Sequence, residues 1–245
     1  MNAHNYFGRA YRDFYRQWLL PVEQTEAEVD FLLARLKSRA GQVWVDLPCA
    51  YGRHLEAIRA RRPGLRLIGG DLNAVFLADI HGAWRVCCDM SRVPLADGSA
   101  HVVLNLLNSF GYFPAGSDGD RRQLAEMARI LKPGGRLVMD LPNRRGLLAI
   151  VRREPVIRYA TARYEAVEEF RWDAATQTMH NRTRWKWPGG RERAGYALRL
   201  YTPSQIRRML ARAGFAIDQA FGDFTGRPFA PADADRLLIF ATKVS

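Results

Sequence analysis

Lysine is scarce in this chain, cysteine scarcer, and no stretch stays apolar for long. Only four lysines, at 37, 132, 186 and 243, stand among 37 basic residues, so the net charge of +12 is carried by arginine. The arginines are scattered in pairs such as Arg121–Arg122, Arg152–Arg153 and Arg207–Arg208 on helix-like stretches. That is a solvated-face pattern rather than a stripe that tracks phosphates, so nucleic acid is not an expected partner. Three cysteines, Cys49, Cys87 and Cys88, form no CxxC pair and no disulfide framework. The adjacent pair reads as small core residues in a reducing compartment. No run approaches the roughly 18 apolar residues of a membrane span. The N-terminus mixes rings with charge (Tyr6, Arg9, Tyr11, Arg12, Phe14), unlike a secretion signal. A cytoplasmic chain without membrane contact is expected. No clustered Asp, Asn or His set has metal-ligand character, so no metal is expected either.

What is present is alternation. After aromatics at helical spacing in residues 2–20 (Tyr11, Phe14, Tyr15, Trp18) comes an amphipathic stretch, 25–38, in which Thr25 and Glu28 have capping-box spacing. From Gln42 onward, apolar runs alternate with helical periods. Strands are predicted at 43–47, 65–71, 84–89, 101–107 and 136–141, with helices at 52–61, 73–82 and 119–131. Runs this apolar suit strands buried on both faces. Residues 148–201 break the rhythm: 178–187 and 191–201 read as antiparallel strands joined at Pro188–Gly190, with 163–173 as a third. Thr202–Pro203 opens a last helix running to Gly214, and strands near 215–224 and 236–244 finish the chain. The expected organisation is a single domain over 1–245. It comprises an N-terminal helical lid (1–40), a ligand-binding core (41–147), a β-rich insertion (148–201) and a C-terminal helix with strands (202–245).

In an open α/β sheet the chemistry lies outside the carboxyl ends of the strands. Three successive strand ends carry an acid: Asp46, Asp71 and Asp89. The first runs into a tight turn, VWVDLPCAYGRHL, and the fifth strand is preceded by Leu131-Lys132-Pro133-Gly134-Gly135. This set resembles the class I S-adenosylmethionine-dependent methyltransferases, most closely over residues 40–145. In their DxGxGxG signature the acid corresponds to Asp46, and the glycine positions hold Pro48, Ala50 and Gly52. Two of three glycines are absent, and Ala50 is the sharper departure because it adds a methyl where backbone should approach the ligand closely.

The resemblance implies a Rossmann-like α/β fold with a seven-stranded, mostly parallel sheet flanked by helices, the β-rich insertion following strand five. It implies S-adenosylmethionine as cofactor and in-line methyl transfer to a small-molecule nitrogen or oxygen acceptor, in the manner of secondary metabolism. Asp46, Arg53, His54 and the turn would hold the methionine end, with the Leu106 carbonyl taking its ammonium. Asp71 and Leu72 would hold ribose, Asp89 and Met90 adenine. The acceptor pocket is expected from Asn108, Tyr112, Phe113, Asn143 and Arg144 under a lid bearing Tyr11 and Tyr15.

No general base stands out, since His54 suits a structural role and His101 begins a strand at the wrong end of the sheet; His180 and Tyr112 are the weak candidates, with Glu168 nearby in the insertion. A flap or homodimer surface is expected over 150–200 from exposed Trp185 and Trp187. Three rival readings remain. A nicotinamide oxidoreductase should show GxGxxG where DLPCAYG stands. A base-directed nucleic-acid methyltransferase often carries an Asn/Asp-Pro-Pro-aromatic run where Asn108-Ser-Phe-Gly stands. A non-catalytic dimeric scaffold would explain the lost glycines.

Overall fold

A computed structural model describes residues 7–15 and 20–244. The expected lid ring Trp18 and the N-terminal Tyr6 lie outside these residues. Short apolar runs make the strands of a seven-stranded sheet: β1 (Val43–Asp46), β2 (Arg66–Asp71), β3 (Trp84–Cys87), β4 (Ala100–Asn105), β5 (Leu131–Pro142), β10 (Phe215–Phe221) and β11 (Arg236–Lys243). Their order is β10-β11-β5-β4-β1-β2-β3. Strands β1 to β5 pair in parallel, while β11 runs antiparallel to both β5 and β10. The Lys132–Gly135 turn lies within the extent of β5: register jumps from Ala100–Leu131 to Val102–Arg136, so those four residues loop out of the ladder.

Helices α2 (Val22–Leu36), α3 (Arg53–Arg61), α4 (Ala74–Ala78), α5 (Gly119–Ile130) and α7 (Pro203–Arg212) accompany this sheet. Two apolar clusters hold them. One joins Val103, Met139 and Ile239 to Leu124 and Leu210; the other joins Trp44 and Leu104 to Leu32 and Ile58. Thr202 caps α7 through a capping box with Gln205, as its Thr-Pro start implies.

The insertion contributes α6 (Arg144–Arg153) and an antiparallel sheet in the order β6 (Val156–Ala160), β7 (Glu165–Asp173), β8 (Thr178–Trp187), β9 (Gly190–Arg199). Strand β6 was not foreseen. Short helix α1 (Arg9–Phe14) lies between this sheet and the core, with Tyr11 and Phe14 packed against Phe76, Ala166 and Trp185.

Three expectations need correction. Helix α2 starts at Val22 after Pro21, so Thr25 is not an N-cap. Cys87 is exposed on edge strand β3, and only Cys88 is core. Trp185 is 1% exposed rather than a surface ring, because β8 turns its Met179, Asn181, Thr183 and Trp185 face inward and presents Arg182, Arg184 and Lys186 to solvent. The exposed-ring argument for a flap or dimer surface therefore loses Trp185, which packs inward against α1.

Candidate cofactor and acceptor site

A cavity of about 370 Å³ opens at the carboxyl ends of β1 to β4. Its floor begins at the turn after β1. The Cys49 N–H donates to the Gly70 carbonyl (2.9 Å), and the Gly52 N–H to the Cys49 carbonyl (2.9 Å), which coils the chain into a tight elbow. The Leu47–Pro48 peptide is cis. Ala50 occupies a glycine-like backbone conformation (φ +46°), held there as its N–H donates to Asp71 Oδ2 at 2.9 Å. At Gly52 (φ +79°) no side chain fits, since a Cβ would come within 2.7 Å of Ile80. The Ala50 departure thus keeps the elbow's shape; the alanine and Pro48 both face the cavity.

Asp71 lies at the end of β2 with a second bond, Asn73 N–H to Oδ1 at 2.8 Å. The residue lines the cavity beside Leu72, Asn73 and Phe76. Asp89 follows β3 and takes the Ser91 N–H and hydroxyl on Oδ1, both at 2.7 Å; Met90 lies next to it on the wall.

Asp46 differs from the other two acids. It is 1% exposed, does not reach the cavity surface, and neither carboxylate oxygen has a partner among the described residues. Burial pushes its carboxyl up to about 8, opposed by Arg53 and reinforced by Asp71. The expected direct role at the methionine end is therefore corrected: Asp46 sits behind the elbow, not on its face.

Arg53 and His54, at the N-terminus of α3, do line the cavity. Both are anchored by buried Glu28: Arg53 Nη2 at 2.7 Å and His54 Nε2 at 2.9 Å, with Arg53 Nη1 also donating to Thr25 Oγ1 at 2.8 Å. Burial works against ionising Glu28, yet His54 and Arg53 outweigh it and hold the carboxyl down at about 2. Burial and Arg53 in turn hold His54 down at about 4, against the pull of Glu28. The imidazole is neutral at pH 7 and already committed. Thr25 and Glu28, misread as a cap, are thus the braces of the cavity's one arginine among its described lining.

The roof is aromatic. Tyr11, Tyr112 and Phe113 line the cavity as expected, joined by Phe7 and Pro114. Tyr15 does not line it; the ring stacks on Tyr11 (4.1 Å between centroids), and its hydroxyl donates to Glu168 Oε1 at 3.0 Å. Burial drives the Tyr11 and Tyr112 phenols well above their ordinary range. The loop carrying Tyr112 and Phe113 is fixed by buried Asp120, which also accepts from Tyr201.

Three further expected acceptor residues and one base candidate do not line the cavity. Asn143 is 2% exposed, caps α6, and donates to the Pro231 (3.0 Å) and Ala234 (2.6 Å) carbonyls. Arg144 faces Gln177, the Leu200 carbonyl and the Trp172 ring. Asn108 belongs to the turn after β4 but does not face the cavity. His180 sits on the outward face of β8, opposite Arg171, and is no base for this site. Sequence reasoning missed Phe7, Tyr51 and Phe76. Only the helical spacing of the N-terminal rings hinted at any of them, and that spacing cannot separate a wall from a core. Among the described residues no group of His, Cys, Asp and Glu is placed to hold a metal ion, and no helix is long and apolar enough to cross a membrane.

An elbow feeding a helix N-terminus, acids at the ends of β2 and β3, and this sheet order together form a Rossmann-like arrangement similar to that of the class I methyltransferases. Residues 45–139 match the methyltransferase domain family. A ubiquinone/menaquinone biosynthesis C-methyltransferase, UbiE of Desulfotalea psychrophila, is 33% identical over 106 residues, a match spanning 40% of each chain. An S-adenosylmethionine-dependent methyltransferase from Clostridium acetobutylicum superposes with TM-score 0.80 at 14% identity, covering 100% of both chains. CalS10, an amino pentose methyltransferase of calicheamicin biosynthesis from Micromonospora echinaspora, superposes with TM-score 0.65 at 18% identity, covering 96% of this chain and 97% of that one.

Proposed function

We propose that this chain transfers the methyl group of S-adenosylmethionine to a small molecule, with an amine nitrogen as the acceptor atom. One observation carries the reading: a single cavity joins the strand-end acids Asp71 and Asp89 on one side to an aromatic roof on the other. The residues suit the cofactor. Asp71 offers two oxygens to the ribose hydroxyls, while Asp89 and Met90 offer an acceptor and an apolar face to adenine. Arg53 and the first turn of α3 present positive charge to the amino-acid carboxylate, and Leu106, whose carbonyl already accepts the Ser109 hydroxyl at 2.7 Å and keeps a second lone pair for the ammonium, lines the same cavity.

When bound, S-adenosylmethionine supplies a methyl group on a cationic sulfur. The chain's part is to align, to enclose and to exclude water. Tyr11, Tyr112 and Phe113 form the enclosing wall, and their electron-rich ring faces favour positive charge beside them. No side chain among the described lining is placed to accept a proton near neutral pH. Tyr11 and Tyr112 hold theirs, and His54, held down at about 4, is a weak base already tied to Glu28. An amine in its free-base form needs no such group, whereas a hydroxyl does. The amino pentose acceptor named for CalS10 is consistent with that chemistry.

The test is thermal unfolding of the chain with ligands, followed by turnover. S-adenosylhomocysteine should raise the Tm by several degrees and NAD should not. With methyl-labelled cofactor, label should pass to amino sugars or amino heterocycles in preference to their hydroxyl analogues. Stabilisation by NAD alone would point to an oxidoreductase, and stabilisation by neither to a scaffold.

A further inference from the structure

We propose that Asp140 is a positioning residue for the methionine end of the cavity, acting by holding the Leu106–Ser109 turn in a backbone shape that it would not keep by itself. The inference rests on the functional reading above.

Two consecutive residues without glycine's freedom lie in the left-handed region here, Leu107 (φ +53°) and Asn108 (φ +60°). Asparagine tolerates that region; a leucine seldom does. Both amides are engaged by one residue. Asp140, at the end of β5 and 1% exposed, accepts the Leu107 N–H on Oδ2 at 3.0 Å, and its main-chain carbonyl accepts the Asn108 N–H at 3.0 Å. Arg236 on β11 donates to the same Oδ2, which keeps the carboxylate in place across the sheet. Neither Asp140 nor Arg236 lines the cavity, so their action is indirect.

What the turn shapes is the wall itself. Leu106, Leu107 and Ser109 face the cavity. The Ser109 hydroxyl donates to the Leu106 carbonyl at 2.7 Å, and the Ser109 carbonyl accepts from Asn105 (3.2 Å) and Gln123 (3.1 Å). Asn105 also donates to the Leu47 carbonyl at 2.7 Å, which ties the turn to the elbow. The turn therefore stands over β4 and β1, whereas Asp71 and Asp89 stand at the ends of β2 and β3. A disturbance at Asp140 should reach the amino-acid end of a bound cofactor and spare the adenosine end. A carboxylate serving only as one half of a core ion pair has no reason to make that distinction.

Two ligands separate the roles in calorimetric titration of the full chain. S-adenosylhomocysteine spans both ends, and 5′-methylthioadenosine lacks the amino-acid end. Asp140→Ala should weaken S-adenosylhomocysteine at least tenfold and leave methylthioadenosine within twofold. In a Leu107→Gly background, where glycine adopts the left-handed turn unaided, the same substitution should cost less than twofold. Asp140→Asn keeps an acceptor oxygen for the Leu107 amide. It should lose about threefold for S-adenosylhomocysteine alone, and it carries the test if the alanine variant does not fold. Equal weakening of both ligands overturns the proposal, as does a tenfold loss that persists with Gly at 107. Failure of the unaltered chain to bind S-adenosylhomocysteine overturns the functional reading itself, a different result from any of these.

Discussion

At the scale of single residues, the site is governed by which carboxylates are answered. Asp71 receives two amides, Glu28 an arginine and a histidine, and Asp46 nothing among the described residues. The consequence for pH follows from linkage. The Asp46 carboxyl is held near 8 in the folded chain, against about 4 when unfolded. Folding therefore retains a proton that the unfolded chain releases, and this group's contribution to stability is lost as pH rises from about 4 to about 8. Asp46→Asn, neutral throughout, escapes that loss. In ligand-free protein the Tm of the variant relative to the parent should climb across that window and level off above it; a difference that stays flat from pH 4 to 9 would show that Asp46 is ionised. The acids at strand ends were legible because an apolar run ending in Asp has one polar residue and a known direction. Which of them faces the cavity was not, since the difference between Asp46 and Asp71 is a matter of depth behind the elbow. Asn143 was misjudged for a related reason: an asparagine after a strand caps a helix or touches a ligand with the same atoms.

Among elements, the loop between β4 and α5 is tightly held against β9. Gly111 has φ +105°, and a Cβ there would lie 2.4 Å from the Arg199 carbonyl oxygen, while the Arg199 N–H donates to the Gly111 carbonyl at 2.7 Å. Gly111→Ala must strain the backbone and push the loop off β9, at a cost of roughly 2 kcal/mol or more. Gly98 has φ +59° with nothing within 4 Å of a Cβ, so its alanine variant should show only the conformational penalty, about 1 kcal/mol. Urea denaturation of the two variants would measure the gap; equal losses would mean that the loop has room to yield. The parallel core was readable from alternating apolar runs and helical periods. Contacts between elements were not. Glu28 and His54 are 26 residues apart, and spacing within α2 suggested a cap precisely where the helix instead braces α3. Strand β6 is short and follows Pro155, which gave it too little pattern to register.

Across the whole molecule, α1 and the insertion sheet form one cover over the core. Trp185, 1% exposed, lies at the centre of the cluster that joins them, with Phe14 and Ala166. Trp185→Ala should therefore cost roughly 3–5 kcal/mol of stability by leaving a cavity. A loss below about 1 kcal/mol by chemical denaturation would mean that the cover is not packed against the lid helix. A period-two strand advertises two faces without saying which is covered, and that is why this ring was expected at the surface. The Gly111–Arg199 backbone bond and the Tyr112–Tyr196 ring contact together seat the roof loop on β9. A substitution along β9 therefore reaches the aromatic roof through this seat, while the acids and elbow stand on the other side of the cavity, at the ends of β1 to β3.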